Sequence, residues 1–137
     1  MARDSSAWGW SLAIIGVGGL ANAAWMLFAP GHWYANLPAG VPDYGPLNEH
    51  FVRDIGCTFA TMGVALVWAA LSRRYRLPLV AIAAVFFGGH ALLHVYDTLR
   101  GAVEANHWWL DVPGVYLPAV VLAIATMVLA RGKTAAE

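Results

Sequence analysis

The sequence predicts an all-α integral membrane protein, a four-transmembrane-helix antiparallel bundle with both N- and C-termini cytoplasmic. Three observations predict it. Hydrophobic residues make up 60% of the 137-residue chain and charged residues only 12%, against roughly 45–50% and 25% in soluble domains. Mean hydropathy is +0.59, so the solvent for most of this surface is lipid. Four apolar runs, at about 7–29, 48–71, 78–99 and 113–130, are each long enough for the roughly 20 helical residues that cross a hydrocarbon core. Open strands find no water at that depth for their unpaired backbone groups, so the runs are helices. The length, 1–137, gives room for a single membrane domain.

The first run, at 7–29, has the outline of a secretory signal: Arg3, an apolar stretch, then Ala21-Asn22-Ala23. Its apolar character continues through Trp25-Met26-Leu27-Phe28, which makes it a helix that stays. Gly16, Gly18 and Gly19 remove side chains and suit close approach of a neighbouring helix. The stretch 30–47 follows, with four prolines and three glycines, a density expected to forbid a regular element. Trp33, Tyr34 and Tyr44 place it at headgroup level.

The second run, at 48–71, opens on a polar sentence, Asn48-Glu49-His50-Phe51-Val52-Arg53-Asp54, then stays apolar. A charge at bilayer depth costs at least about 2.5–3.5 kcal/mol, so such residues are rarely incidental. Arg73, Arg74 and Arg76 fill the short turn before the third run, at 78–99, which ends with His90, His94 and Asp97. The stretch 100–112 carries a second aromatic belt, His107-Trp108-Trp109, before the fourth run at 113–130. The 30–47 stretch has no Lys or Arg, whereas the 72–77 turn and the tail, with Arg131 and Lys133, are positive. Positive segments stay in the cytoplasm, so the aromatic loops face outward. The surrounding membrane is taken as the bacterial inner membrane.

Depth and face bring the polar residues together. Arg53 and Asp54 fall roughly 7–9 Å along the second helix from Asn48, and His90, His94 and Asp97 about 13, 7 and 3 Å from the end of the third. Each set occupies a narrow stripe, about 100° for His50, Arg53, Asp54, Cys57 and Thr61, and about 60° for the other. Two such stripes in antiparallel neighbours are expected to face each other inside the bundle, with Asn22 and Tyr116 as further lining.

The chemistry of that cluster is open between two classes. Imidazole and carboxylate suit a divalent transition metal such as zinc, iron or copper, with His50, Asp54, His90, His94 and Asp97 as ligands. The i,i+4 spacing occurs twice, in His50 with Asp54 and in His90 with His94. Arg53 suits an anionic or lipidic ligand, and Cys57 faces the same way. Haem held by His50 or His94 is a second cofactor reading, opposed by the crowd of charges where an apolar slot is needed. The alternative class is a non-catalytic subunit whose polar cluster sets helix pairing, in a homo-oligomer or a larger membrane complex. His32, His107 and the tryptophans read as interfacial anchors. Whether the protein is an enzyme is left open. Zero net charge and a pI near 7.0 remove any case for nucleic-acid binding.

The topology, with the string from Asn48 to Gly56, resembles small bacterial membrane proteins of the DoxX-like type. That resemblance implies a four-helix inner-membrane architecture and assigns no residue a role. The histidine and aspartate pattern is also distantly similar to intramembrane zinc hydrolases of the ceramidase type, but those use more helices and a serine, and Ser72 lies at the opposite end here.

Overall fold

The computed structural model describes the backbone of residues 2–134 and side-chain surroundings for residues 7–132, so Arg3 and Lys133, which enter the arguments above, lie outside the described side chains. Six α-helices follow in order: α1 (Ala2–Phe28), α2 (Pro30–Asn36), α3 (Glu49–Leu71), α4 (Arg76–Leu99), α5 (His107–Leu110) and α6 (Leu117–Thr134). A 3₁₀ turn (Val41–Tyr44) precedes α3, and a π-helical turn (Val112–Tyr116) leads into α6. No strand occurs among the described residues. Four helices, α1, α3, α4 and α6, are long and apolar enough to cross a membrane. The all-α four-span bundle is therefore the fold.

Three helix boundaries have a local cause in side-chain hydrogen bonds. Asn48 caps α3, its side-chain oxygen accepting from the Phe51 amide at 3.1 Å, which satisfies one of the donors a helix start leaves over. At the far end of α3 the carbonyls are left over instead. Arg76, buried at the start of α4, donates from Nε to Ala69 O and from Nη2 to Ala70 O, both at 2.8 Å. Arg53 does the same for α1, donating from Nε to Leu27 O at 3.3 Å.

The 30–47 stretch is more ordered than its composition suggests. Pro30 sits in the first turn of α2, where its fixed φ helps and its missing N–H costs nothing. No further proline occurs until Pro38, past the helix end. Proline density was a poor guide because position within the turn decides its effect.

One core runs through all four spans, with Leu12 from α1, Leu66 from α3, Val80 and Phe87 from α4, and Leu122 from α6. A smaller cluster at the loop-rich end gathers Met26, Trp33 and Val52. Asn22 belongs to it: its oxygen accepts from Trp33 Nε1 at 2.8 Å, and its amide donates to Met26 Sδ at 3.4 Å.

The closest seam is between α1 and α3. A Cβ on Gly63 would stand 2.8 Å from Leu20 Cγ and 2.9 Å from Gly16 O, and one on Gly16 would stand 3.0 Å from Gly63 O. Gly16 thus serves the close approach its type suggested. Gly18 does not, for nothing lies within 4 Å of it.

The large corrections concern faces. Val52, Gly56, Gly63, Leu66 and Ala69 are the buried side of α3. The stripe of His50, Asp54, Cys57 and Thr61 lies roughly 150° around the helix from the Val52–Gly63 face, and it is exposed. The two polar stripes of α3 and α4 do not face each other.

Candidate functional site

The polar centre forms where the loop-rich end closes over α4. Tyr44 ends the 3₁₀ turn, His94 projects from the last turns of α4, His107 opens α5, and Asp111 stands between α5 and the π-helical turn. Asp111 and His107 are both 0% exposed. Three groups converge on one carboxylate oxygen, Asp111 Oδ2. The Tyr44 hydroxyl donates to it at 2.8 Å, His94 Nδ1 lies 2.8 Å away, and His107 Nδ1 lies at 3.5 Å. The hydroxyl also lies 2.8 Å from His94 Nδ1 and 3.1 Å from His107 Nδ1.

Local structure explains how these residues meet. Asp111 precedes a helix start, where the backbone dipole favours negative charge, and its carbonyl accepts from both Val115 N and Tyr116 N, at 2.8 and 3.1 Å. Pro113 and Pro118 lack amide donors, which suits a widened turn between them. On the opposite side the 3₁₀ turn is held by Tyr34, whose hydroxyl donates to Gly45 O at 2.8 Å. Gly40 has φ +62° and a Cβ there would lie 3.1 Å from Asp43 Oδ2 and 3.2 Å from His107 Cε1. A side chain at that position is strained in the backbone and crowded against the site.

The protons have several resting places. An ionised carboxylate only accepts, so the 3.0 Å contact of His107 Nε2 with Asp43 Oδ2 places a hydrogen on Nε2. In a neutral ring, Nδ1 is then an acceptor facing the Tyr44 hydroxyl. By the same rule His94 Nδ1 carries a hydrogen toward Asp111 Oδ2, so the one Tyr44 proton has two nearby acceptors, Asp111 Oδ2 and His107 Nδ1. Burial pushes the Tyr44 phenol well above its ordinary value, and the hydrogen bond and charge of Asp111 add to the effect. The phenol therefore stays protonated at neutral pH and remains a donor.

One buried polar atom is left over beside this network: Asp111 Oδ1 has no hydrogen-bond partner among the described residues, while the Tyr116 hydroxyl lies beside the Thr98 side chain. Tyr116 stacks against Trp108 with ring centroids 6.3 Å apart. Outside the network, a shallow cleft of about 430 Å³ reaches Asp43 and is lined also by Gly101, Ala102, Val103 and Glu104.

The residues singled out in the sequence divide accordingly. His94 is in the cluster. His90 adjoins it, its ring 4.5 Å from that of His94, with Phe86 stacked on it and Phe59 edge-on. Asp97 is taken by Arg100 Nε at 2.8 Å. On α3, His50 pairs with Asp54 at 3.4 Å and Arg53 with Glu49 at 3.1 Å, while Cys57 is exposed. No hydrogen bond, ion pair or ring contact joins the α3 pairs to His90, His94 or Asp97, and none joins His50 to His94. Among the described residues no group of three or more His, Cys, Asp or Glu side chains is arranged to hold a metal ion.

Tyr44, Asp43, His107 and Asp111 are the residues sequence reasoning missed. The signal was present, for His107 and Asp111 show the same i,i+4 spacing that marked His90 with His94. Their neighbours Trp108, Trp109 and Leu110 disguised the pair as an interfacial anchor.

Fold and cluster together define a small polytopic membrane protein with a buried histidine–aspartate centre at one end of its bundle. The chain belongs to the family of unknown function DUF6632, whose model matches residues 8–136. The match names no DoxX-like family; what it supports is membership of an uncharacterised one. No curated protein and no solved structure matches the chain.

Proposed function

We propose that this protein binds a small lipid-soluble or lipid-derived molecule at headgroup level, through a hydroxyl or amine that donates to Asp111. One observation carries the reading: Asp111 is wholly buried, three neighbours crowd Oδ2, and Oδ1 has no partner. A buried carboxylate oxygen without a donor forfeits about 1–3 kcal/mol or more, which a donor from a bound molecule recovers. Tyr44 closes the site, the residue being 37% exposed while its hydroxyl reaches Asp111. The anion-clamp role considered for Arg53 finds less support, because its guanidinium is engaged by Glu49 and Leu27 O.

The site faces outward in this reading, with both termini cytoplasmic, because Arg73, Arg74 and Arg131 lie at the other end of the spans. A competing reading has its own observation: Tyr44 and Asp43 tie the long loop to α4 and α5, which a purely structural network would also do.

The two part on what stays bound. Wild-type protein released from native membranes into a mass spectrometer is expected to carry a near-stoichiometric small molecule that Asp111→Asn lacks, although the variant retains the helical fold. Elemental analysis of the same sample serves the metal reading: zinc, iron or copper at near-unit ratio, lost in His94→Ala, would replace the bound molecule with a cation. A wild type that carries neither would leave the structural network as the function.

A further inference from the structure

The turn over the polar centre is built to move. It reads Gly40-Val41-Pro42-Asp43-Tyr44-Gly45. Gly40 and Gly45 have φ +62° and +130°, conformations that glycine adopts without strain, and Pro42 stiffens the short segment between them. The 3₁₀ turn buries none of its residues. Val41 leans half-buried on the Met26, Trp33 and Val52 cluster and holds the base, while Pro42, Asp43 and Tyr44 are exposed. Polar contacts hold the tip down: the Tyr44 hydroxyl on Asp111 Oδ2 at 2.8 Å, and Asp43 Oδ2 on His107 Nε2 at 3.0 Å. The other walls of the centre are fixed more firmly. His107 and Val115 are buried, Trp108 stacks on Tyr116, and α4 and α6 share the core of Phe87, Ala119 and Leu122. Local opening falls where few apolar contacts resist it, and among these elements that place is the turn.

We infer that this turn is a lid that swings on Gly40 and Gly45, admitting the polar group of a bound molecule to Asp111 from the water-facing cleft rather than sideways from lipid. Asp111 is 0% exposed, so its unpartnered Oδ1 is out of reach while the turn is down. Asp43 is both a latch on His107 and a wall of the cleft of about 430 Å³. The facing wall, at Gly101, Ala102 and Glu104, is exposed and lies beyond the end of the third span. Lifting Asp43 off His107 therefore extends the cleft toward the centre, and the same movement takes Tyr44 off Asp111. One swing releases both latches and offers the whole carboxylate to the entering group. The cleft already has the size of a small-molecule site, about 300–1,000 Å³. Hinges of this kind are a few loop positions that absorb the backbone rotation. The destination of this route rests on the proposed ligand at Asp111; the motion of the lid does not.

The test needs no ligand. Cys57 is the only cysteine in the chain, so a Cys57→Ser background is free of thiols. There His94→Cys places a thiol behind the turn and keeps both latches, and Leu122→Cys places one in the core, at 0% exposure. Membranes open at both faces are treated with a charged, membrane-impermeant methanethiosulfonate. His94→Cys is expected to label slowly, and at least about ten-fold faster once Tyr44→Phe removes the hydroxyl's bond to a charged group and keeps the ring. Leu122→Cys is expected to stay unlabelled in both backgrounds. Amide exchange at Asp43 and Gly45, whose N–H groups donate to Gly40 O and Pro42 O, is expected to rise with Tyr44→Phe while that of α3 holds. A His94→Cys rate unmoved by Tyr44→Phe, or labelling by an apolar maleimide alone, would overturn the lid. So would Leu122→Cys labelling as fast as His94→Cys, because the whole bundle would then be loosening. The ligand reading stands or falls separately: a wild type that carries no molecule yet labels through the latch keeps the lid and loses the ligand.

Discussion

Replacing Asp111 by alanine is expected to be the most damaging single substitution in the molecule, costing about 3–5 kcal/mol, the range for breaking a buried charge network by removing one member. Removing the carboxylate withdraws the acceptor from Tyr44 and from His94 at a position that is itself 0% exposed. The loss is local before it is global. The turn at Val41–Tyr44 is tied to the bundle through Tyr44 and Asp43, so amide exchange between 37 and 47 is expected to rise first, while the α1–α3 seam keeps its protection. Asp111→Asn retains an acceptor oxygen and is expected to fall well short of the alanine variant. Thermal unfolding in detergent with hydrogen exchange reads both effects.

The second large effect lies at the opposite kind of contact. Gly63→Leu is expected to destabilise by roughly 1–3 kcal/mol or more, the cost of forcing volume into a filled interface. A Cβ at Gly63 already stands 2.9 Å from the Gly16 carbonyl, and backbone gives way less easily than a side chain. The helices must then separate. Gly18→Leu is the control, because nothing lies within 4 Å of that position. Equal losses of unfolding temperature in the two variants would contradict the packing described.

Why Gly63 matters and Gly18 does not was only half legible in the sequence. Glycines on α1 announced close packing, and Gly16 delivered it, but which glycine meets a neighbour depends on the rotation of the helix against α3. The same rotation governed the site. The spans and their order followed from apolar length alone, a signal lipid makes strong. The facing of α3 was read from the principle that polar residues turn inward, whereas Gly56 and Gly63, packed beneath Leu27 and Leu20, turn the opposite face inward and push His50 and Asp54 out. Glycine marked the buried side more truly than charge did. On α4 the inward rule held for His94, and its true partners came from loops, where register is set by turns such as Gly40 rather than by periodicity. That is why Asp111, among tryptophans and beside Pro113, passed unread.

The cluster itself, on which the proposed ligand site depends, is tested most directly by the ionisation of Tyr44. Ultraviolet titration of wild type against Tyr44→Phe isolates this one phenol. It is expected to remain protonated well above the ordinary tyrosine value of about 10, because burial and Asp111 both oppose the phenolate. The sign for stability follows. Above a pH of about 10 the unfolded chain releases this proton and the folded one does not, so the contribution of Tyr44 is complete below that pH and declines as the pH rises further. Asp111→Asn should bring the ionisation back toward the ordinary value. A Tyr44 that ionises near 10 in the wild type, unmoved by Asp111→Asn, would mean that its hydroxyl is in water and that the cluster does not form.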